Sequence, residues 1–438
     1  YSEEILGDFN PKTFKFARKF LTSLFKRLLN NGWGRNHKGI WGNRDDVRKK
    51  IKVDGCVDEI RELFNKGTVV IVPTHYSNLD SPLIGYTVDM KLGIPAFAYG
   101  AGLNLYDYEL VAYFINRLGA YRVDRRKKNP IYLETLKSMA SLSLIEGVNH
   151  IFFPGGTRSR SGAIEDKLKL GLLNSVIDAQ RYCIINNVSQ KIFVVPMSVS
   201  YHFVLEAKAL VDQHLRFVGK EKYARSKNKG SKIRAFFKFF RALRKKDSEI
   251  YVSIGKPMDV LGNEVNVQGE SFDHRGQPVD VKNYFTADDV LNVDNQRESI
   301  YTRILAEKIL ESFKKENVVL SSHIVAYAMF SCIEDMNPES DLFEILKMPT
   351  KDIRVSIENV KRKILFAMSY LETLDNKAKF SPIFDSGVDA IFDNGLSQVG
   401  IYHNSKPVYK IDNNNLSSAD LKVLYYYHNK LEHYEITK

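Results

Sequence analysis

The sequence predicts an α/β fold: a largely parallel or mixed sheet flanked by helices, with a helical segment before it and a mainly helical region after it. Three observations carry this reading. Short apolar runs rich in β-branched residues recur between residues 68 and 199. Longer segments of helical period separate them. From about Gln296 onward helical patterns dominate.

Taken in order, residues 13–30 read as a basic amphipathic helix. Phe14, Ala17, Leu21, Leu24, Phe25 and Leu28 recur at helical spacing, and Lys15, Arg18, Lys19, Lys26 and Arg27 fill much of the remainder. The Asn and Gly residues at 30–34 stop it. The run 68–72, closed by Pro73, reads as a buried strand, as do 96–99, 120–123, 150–153 and 193–199. Helical patterns fall around 105–118, 130–146 and 167–185. Residues 220–246 hold twelve Lys or Arg against one acid, Glu221, with Phe236, Phe237, Phe239 and Phe240 among the cations. A strand-like stretch follows at 249–254. Residues 256–290 are polar and rich in Gly, Asp and Asn, as in a linker or long excursion. Helical patterns then run to 317 and over 321–333 and 352–375. The organisation expected is an N-terminal basic helical segment (1–66), an α/β domain (67–258), a polar linker or excursion (259–290) and a helical C-terminal region (291–438).

Composition narrows the class. The 438 residues are 44% apolar and 26% charged, enough to bury a core in two domains or one enlarged domain. Cys56, Cys183 and Cys332 are odd in number and far apart, so neither a disulfide framework nor a cysteine metal site is expected, and a reducing compartment is. No apolar run approaches the roughly 20 residues of a membrane span, and no signal-peptide pattern is seen. The net charge of +12 calls for an anionic partner. Cations interleaved with phenylalanine suit a lipid interface better than a nucleic acid, for which no binding motif is present.

Four segments can carry chemistry. His75 and Asp80 flank the expected strand end and helix start. A carboxylate five positions on can hold one imidazole nitrogen protonated and leave the other free to take a proton from an alcohol. Residues 152–162 run from a strand into a turn of Gly155, Gly156, Thr157, Arg158, Ser159 and Arg160. Glycines let backbone N–H groups approach an anion, and arginine adds fork-shaped donors suited to phosphate. The Gly-Lys-Ser/Thr ending of a nucleotide-binding phosphate loop is absent. Residues 119–128 add Arg122 and Arg125, equally readable as a basic loop. Residues 194–201 alone are a buried strand containing Pro196.

Together these segments resemble, in order and spacing, the four motif blocks of the glycerol-phosphate acyltransferase superfamily. His75 and Asp80 match H-x4-D, Gly119 to Arg125 match G-x-x-[FR]-[IV]-x-R, Phe153 to Ser159 match F-P-E-G-T-R-S with Lys169 and Gly171 trailing, and Val195-Pro196 opens the fourth block. Residues 317–326 and 424–429 resemble the C-terminal region of the large bacterial-type glycerol-3-phosphate acyltransferases. The resemblance implies that His75 is the base and Asp80 orients it. It implies that Arg122, Arg125, Gly156, Thr157, Arg158 and Arg160 hold the substrate phosphate, without metal or cofactor. It implies an acyl-CoA or acyl-carrier-protein donor, a glycerol-phosphate acceptor and a peripheral position on the anionic cytoplasmic face of a membrane. One position departs: Gly155 stands where the third block carries glutamate. That departure keeps lysophosphatidate or dihydroxyacetone phosphate open as acceptors, and a non-catalytic lipid-binding role open as well.

Overall fold

The computed structural model describes residues 1–5, 7, 10–29, 44–94, 97–102, 116–124, 126–219, 248–287, 290–374 and 378–436. Arg125, the run 220–246 and the expected helix stop at 30–34 lie outside the described residues.

Seven strands build the central sheet: β1 (Ile51–Gly55), β2 (Thr68–Pro73), β3 (Ala98–Gly102), β4 (Ala120–Val123), β5 (His150–Ile151), β6 (Ile192–Tyr201) and β7 (Ile250–Ile254). Their order is β1-β7-β6-β2-β5-β3-β4. The block β6-β2-β5-β3-β4 is parallel throughout, β7 runs antiparallel to β6, and β1 lies parallel to β7. The sheet is therefore mixed and largely parallel. All six residues of β2 and all ten of β6 are buried. Strands covered on both faces read as continuous apolar runs, and that made these two visible in the sequence.

The sheet takes in more of the N-terminus than expected. Residues 1–66 are not only a basic helical segment, because β1 pairs with β7 from Ile51↔Ile250 to Gly55↔Ile254. As an edge strand β1 buries little beyond Ile51, so its sequence lacks the apolar run that marks the others. The polar stretch after β7 is an ordered excursion rather than a bare linker. Short strands at Glu264–Val265, Ser271–Phe272 and Pro278–Val279 pair in sequence, and Asn266 and Asp273 close the turns between them by accepting main-chain N–H bonds.

Helices pack around this sheet. Among them are α1 (Pro11–Leu29), α2 (Val57–Phe64), α3 (Asp80–Thr87), α4 (Pro130–Ile145), α5 (Leu170–Ile185), α6 (Ala207–Val218) and α7 (Asn295–Glu316). Asn129 caps α4 ahead of Pro130 at the first helical position, and Asp294 caps α7. In α1, Ala17, Phe25 and Leu28 are buried, so one face of the basic helix docks on the core while Phe16 and Phe20 stay exposed.

The C-terminal region centres on α8 (Ser321–Met336). Residues 321–333 are all buried, as expected for a helix with apolar or small residues on every side. Helices α9 (Ile357–Thr373), α10 (Val388–Gln398) and α11 (Leu421–His428) pack on it. One continuous apolar core joins them to the sheet. The seam is also polar: the buried Val204 N–H donates to the Tyr427 hydroxyl oxygen at 2.9 Å. Replacing Tyr427 by Phe should therefore lower stability by about 1–2 kcal/mol, since a buried N–H loses its partner. Urea unfolding should show a lower midpoint at unchanged slope. An unmoved midpoint would mean that the seam does not depend on this bond.

Candidate active site

Strands β6, β2 and β5 lie side by side and parallel, so the loops leaving them meet at one edge of the sheet. In open α/β sheets this carboxyl edge is where ligands bind. Here it gathers residues 74–79 after β2, 152–169 after β5 and 202–206 after β6.

The first loop holds an imidazole against a buried carboxylate. Thr74 prolongs the β2–β6 pairing by donating its N–H to Met197 O at 3.0 Å and accepting from Val199 N at 3.1 Å. The chain then turns into α3, whose first residue is Asp80. Asp80 is fully buried, with His75 Nδ1 2.8 Å from its Oδ2. The N–H groups of Tyr76 and Ser77 donate to the same oxygen at 2.7 and 2.8 Å, and the Tyr201 hydroxyl donates to Oδ1 at 2.6 Å. An ionised carboxylate only accepts, so the shared proton belongs on Nδ1 and Nε2 keeps its lone pair. Phe153 stacks on the imidazole with centroids 4.1 Å apart and fixes the ring plane.

The second loop wraps the first. Gly156 N bonds Phe153 O at 3.0 Å, and Gly156 takes φ +72°, which favours glycine. Ser159 N donates to His75 O at 2.7 Å, tying the glycine–arginine loop to the imidazole-bearing chain. Arg158 lies 3.2 Å from Glu206 Oε1. Glu206 precedes α6 and also accepts from Ser77 Oγ and Asn78 N, each at 3.0 Å. The three loops thus share one hydrogen-bond network.

The C-terminal region covers this edge. Asn429 Nδ2 donates to Ser161 O at 3.0 Å, and a Cβ at Gly162 would come within 2.1 Å of Tyr426 O. Nζ of Lys430 sits 3.0 Å from the centroid of the Tyr76 ring. Burial pushes the Lys430 amine well below its usual range, against the pull of Asp80 and Glu165. Beneath the loops, His323 Nε2 contacts Tyr201 O at 2.9 Å, and burial drives this imidazole well below its usual value. His202 contacts Ser322 Oγ at 2.9 Å and is pushed down to about 3 by burial. Both are neutral packing histidines.

Of the residues singled out from the sequence, His75, Asp80, Gly156, Thr157 and Arg158 gather around this edge. Arg160 is exposed on the same loop. Arg122 lies in β4, three strands from β2, and donates to Asn116 Oδ1 at 3.2 and 3.3 Å. Sequence reasoning missed Tyr201, Glu206, Glu165 and Lys430. Tyr201 ends the fourth block, so its place beside the motifs was a usable signal. Lys430, one residue beyond the aromatic run 424–429, gave none. Tyr201→Phe should cost about 2 kcal/mol, the range for a hydrogen bond to a charged group. Denaturant unfolding of the purified protein would read this, and an unchanged midpoint would show that Asp80 is satisfied without the hydroxyl.

Residues 40–200 match the family model described as Acyltransferase. A glycerol-3-phosphate acyltransferase of Pseudoalteromonas translucida is 26% identical over 259 residues, covering 59% of this chain and 27% of that protein. A glycerol-3-phosphate acyltransferase of Shewanella frigidimarina is 24% identical over 399 residues, covering 84% of this chain and 44% of that one. The chain thus spans less than half the length of these relatives. The crystal structure of a 1-acyl-sn-glycerophosphate acyltransferase from Thermotoga maritima aligns at 16% identity and a TM-score of 0.32, covering 69% of this chain and 86% of that one. The four motif blocks lie in order along the stretch that matches the Acyltransferase family model, residues 40–200.

Proposed function

We propose that this protein transfers a fatty-acyl group from a thioester donor, acyl-CoA or acyl carrier protein, to a hydroxyl of glycerol 3-phosphate in phospholipid synthesis. The observation that carries the reading is the His75–Asp80 pair, with Nε2 of the imidazole unclaimed by Asp80, beside a loop of glycine and arginine. The names of the relatives support the acceptor.

In this mechanism Nε2 takes the proton of the acceptor hydroxyl as its oxygen attacks the thioester carbonyl. The new C–O bond gives a tetrahedral oxyanion. Collapse breaks the C–S bond, and the imidazolium returns its proton to the leaving sulfur. Asp80 stabilises the imidazolium through Nδ1–H. No covalent acyl-enzyme is needed, because the acceptor itself is the nucleophile. Arg158, the Gly156–Thr157 main chain and Arg160 are assigned to the acceptor phosphate, with Arg122 and Arg125 as further cations.

The site of work is proposed as the cytoplasmic face of an anionic membrane. Phe16 (45% exposed) and Phe20 (43%) project from α1 beside Lys12, Lys15 and Lys19, and Phe217 (79%) is exposed near the end of α6. Each cation at such a surface adds roughly 1 kcal/mol of attraction. No helix among the described residues is long and apolar enough to cross a membrane.

The purified protein, with detergent or anionic vesicles, should consume long-chain acyl thioester when glycerol 3-phosphate is present. His75→Ala should lose roughly 10²–10⁴-fold in rate. Dihydroxyacetone phosphate and lysophosphatidate, run in parallel, decide the acceptor. Vesicle binding without turnover of any acceptor would replace this reading with a lipid-binding role.

A further inference from the structure

Gly155 and Gly156 are glycines for different reasons. Gly156 has a positive φ, whereas Gly155 does not, so the backbone at 155 would accept a side chain. What stands in the way is Glu165. A Cβ at position 155 would lie 2.8 Å from Glu165 Oε1, 3.0 Å from its Cγ and 3.2 Å from its Cδ. The loop makes this meeting possible by returning on itself, with Lys169 N bonded to Pro154 O at 2.8 Å. The Glu165 carboxyl is buried, and neither oxygen makes a hydrogen bond of ordinary geometry. The N–H groups of His75 and Glu165 are near enough to favour the charged form, as is Lys430, while Asp80 opposes it. A buried carboxyl left this open is costly unless it serves a role.

We infer that Glu165 supplies, from ten residues downstream, the buried carboxylate that the third motif block otherwise carries at position 155, and that it is a positioning residue for the His75 main chain. For its effect on turnover the inference rests on the acyl-transfer reading. Gly155 is then not a lost functional residue but the clearance that lets Glu165 in. A side chain at 155 would meet the Glu165 carboxyl end and force it to shift, so the two positions compete for one buried space.

Four variants test it: E165Q, E165A, G155E and G155E/E165A. Turnover should fall about tenfold or more in E165Q and E165A through kcat, with KM for the acyl donor little changed, because a displaced His75 loop misplaces the base. G155E/E165A, with the carboxylate moved back to 155, should recover most of that loss. Wild-type kcat in both single variants at 165, or a double variant no faster than E165A, would overturn the inference.

Melting gives a readout independent of catalysis. G155E should lower Tm strongly in the wild-type background and much less in the E165A background; additive effects would show that the two positions do not share space. Burial raises the Glu165 carboxyl from the ordinary 4.5 to about 7. The folded state therefore keeps a proton that the unfolded chain releases, and stability is lost as pH rises from 4.5 through 7. The groups facing it are Asp80, Lys430 and the Tyr76 hydroxyl, with the His75 main chain. E165Q should gain Tm relative to the wild type between pH 5 and pH 8. A constant difference would place the carboxyl in water and sink the assignment. If the wild type itself turns over no acceptor, the functional reading falls, and the melting cycle still decides where the carboxylate lies.

Discussion

The candidate site depends on one buried charge. Asp80 has no exposed surface, and its carboxylate is held by His75 Nδ1, two main-chain N–H groups and the Tyr201 hydroxyl. A carboxylate removed from water is tolerated only when its lone pairs are filled in this way. The donors come from different places in the chain. The imidazole and both N–H groups lie on the loop after β2, and the hydroxyl ends β6, more than a hundred residues later. Satisfying Asp80 therefore fixes the turn from β2 into α3, the β2–β6 register and the imidazole tautomer together. Changing any of these would leave a buried charge short of partners.

The cover over this edge follows the same logic. Asp80 and Glu165 are acids in a buried region, and Lys430 is the basic group beside them, its amine pushed down by burial against the pull of both. It is delivered by the last helical turns of the described chain, where its Nζ lies over the Tyr76 ring and Asn429 anchors to the loop after β5. The close approach at Gly162 leaves no room for a side chain between the loop and Tyr426. The C-terminal region thus contributes a buried basic group and shape to the site, in addition to its own apolar packing around α8.

This explains what could and could not be read in the sequence. Strands β2 and β6 were legible because burial on both faces makes a strand continuously apolar. His75, Asp80 and the glycine–arginine loop were legible because local turns bring near neighbours in sequence together. Edge strand β1 was not, since one-sided burial leaves only scattered apolar residues in five positions. Tyr201, Glu206 and Lys430 reach the site through long-range contacts that no local period encodes. Gly155 was legible as a departure, but its meaning lay in Glu165, whose approach depends on how the loop closes. Of the two basic amphipathic segments, 13–30 docks its apolar face and keeps two phenylalanines outside. Charge and period alone could not divide that helix between core and surface.

The Arg158–Glu206 contact bears on how a phosphate could be received. A guanidinium held 3.2 Å from a carboxylate looks at first like a cation already spent. Glu206, however, has two further donors, Ser77 Oγ and Asn78 N, which are independent of Arg158. If a phosphate draws Arg158 away, the carboxylate keeps two hydrogen bonds and is not orphaned. The guanidinium exchanges one anionic partner for one of higher charge and bidentate geometry. Without Glu206 the long Arg158 side chain would lose this restraint, and ordering it would cost more conformational entropy on binding. The contact is better understood as holding Arg158 ready beside the imidazole loop, at an angle set by the first residue before α6. On the acyl-transfer reading, the network that fixes the base through Ser77 and Asn78 also fixes the cation that receives the acceptor.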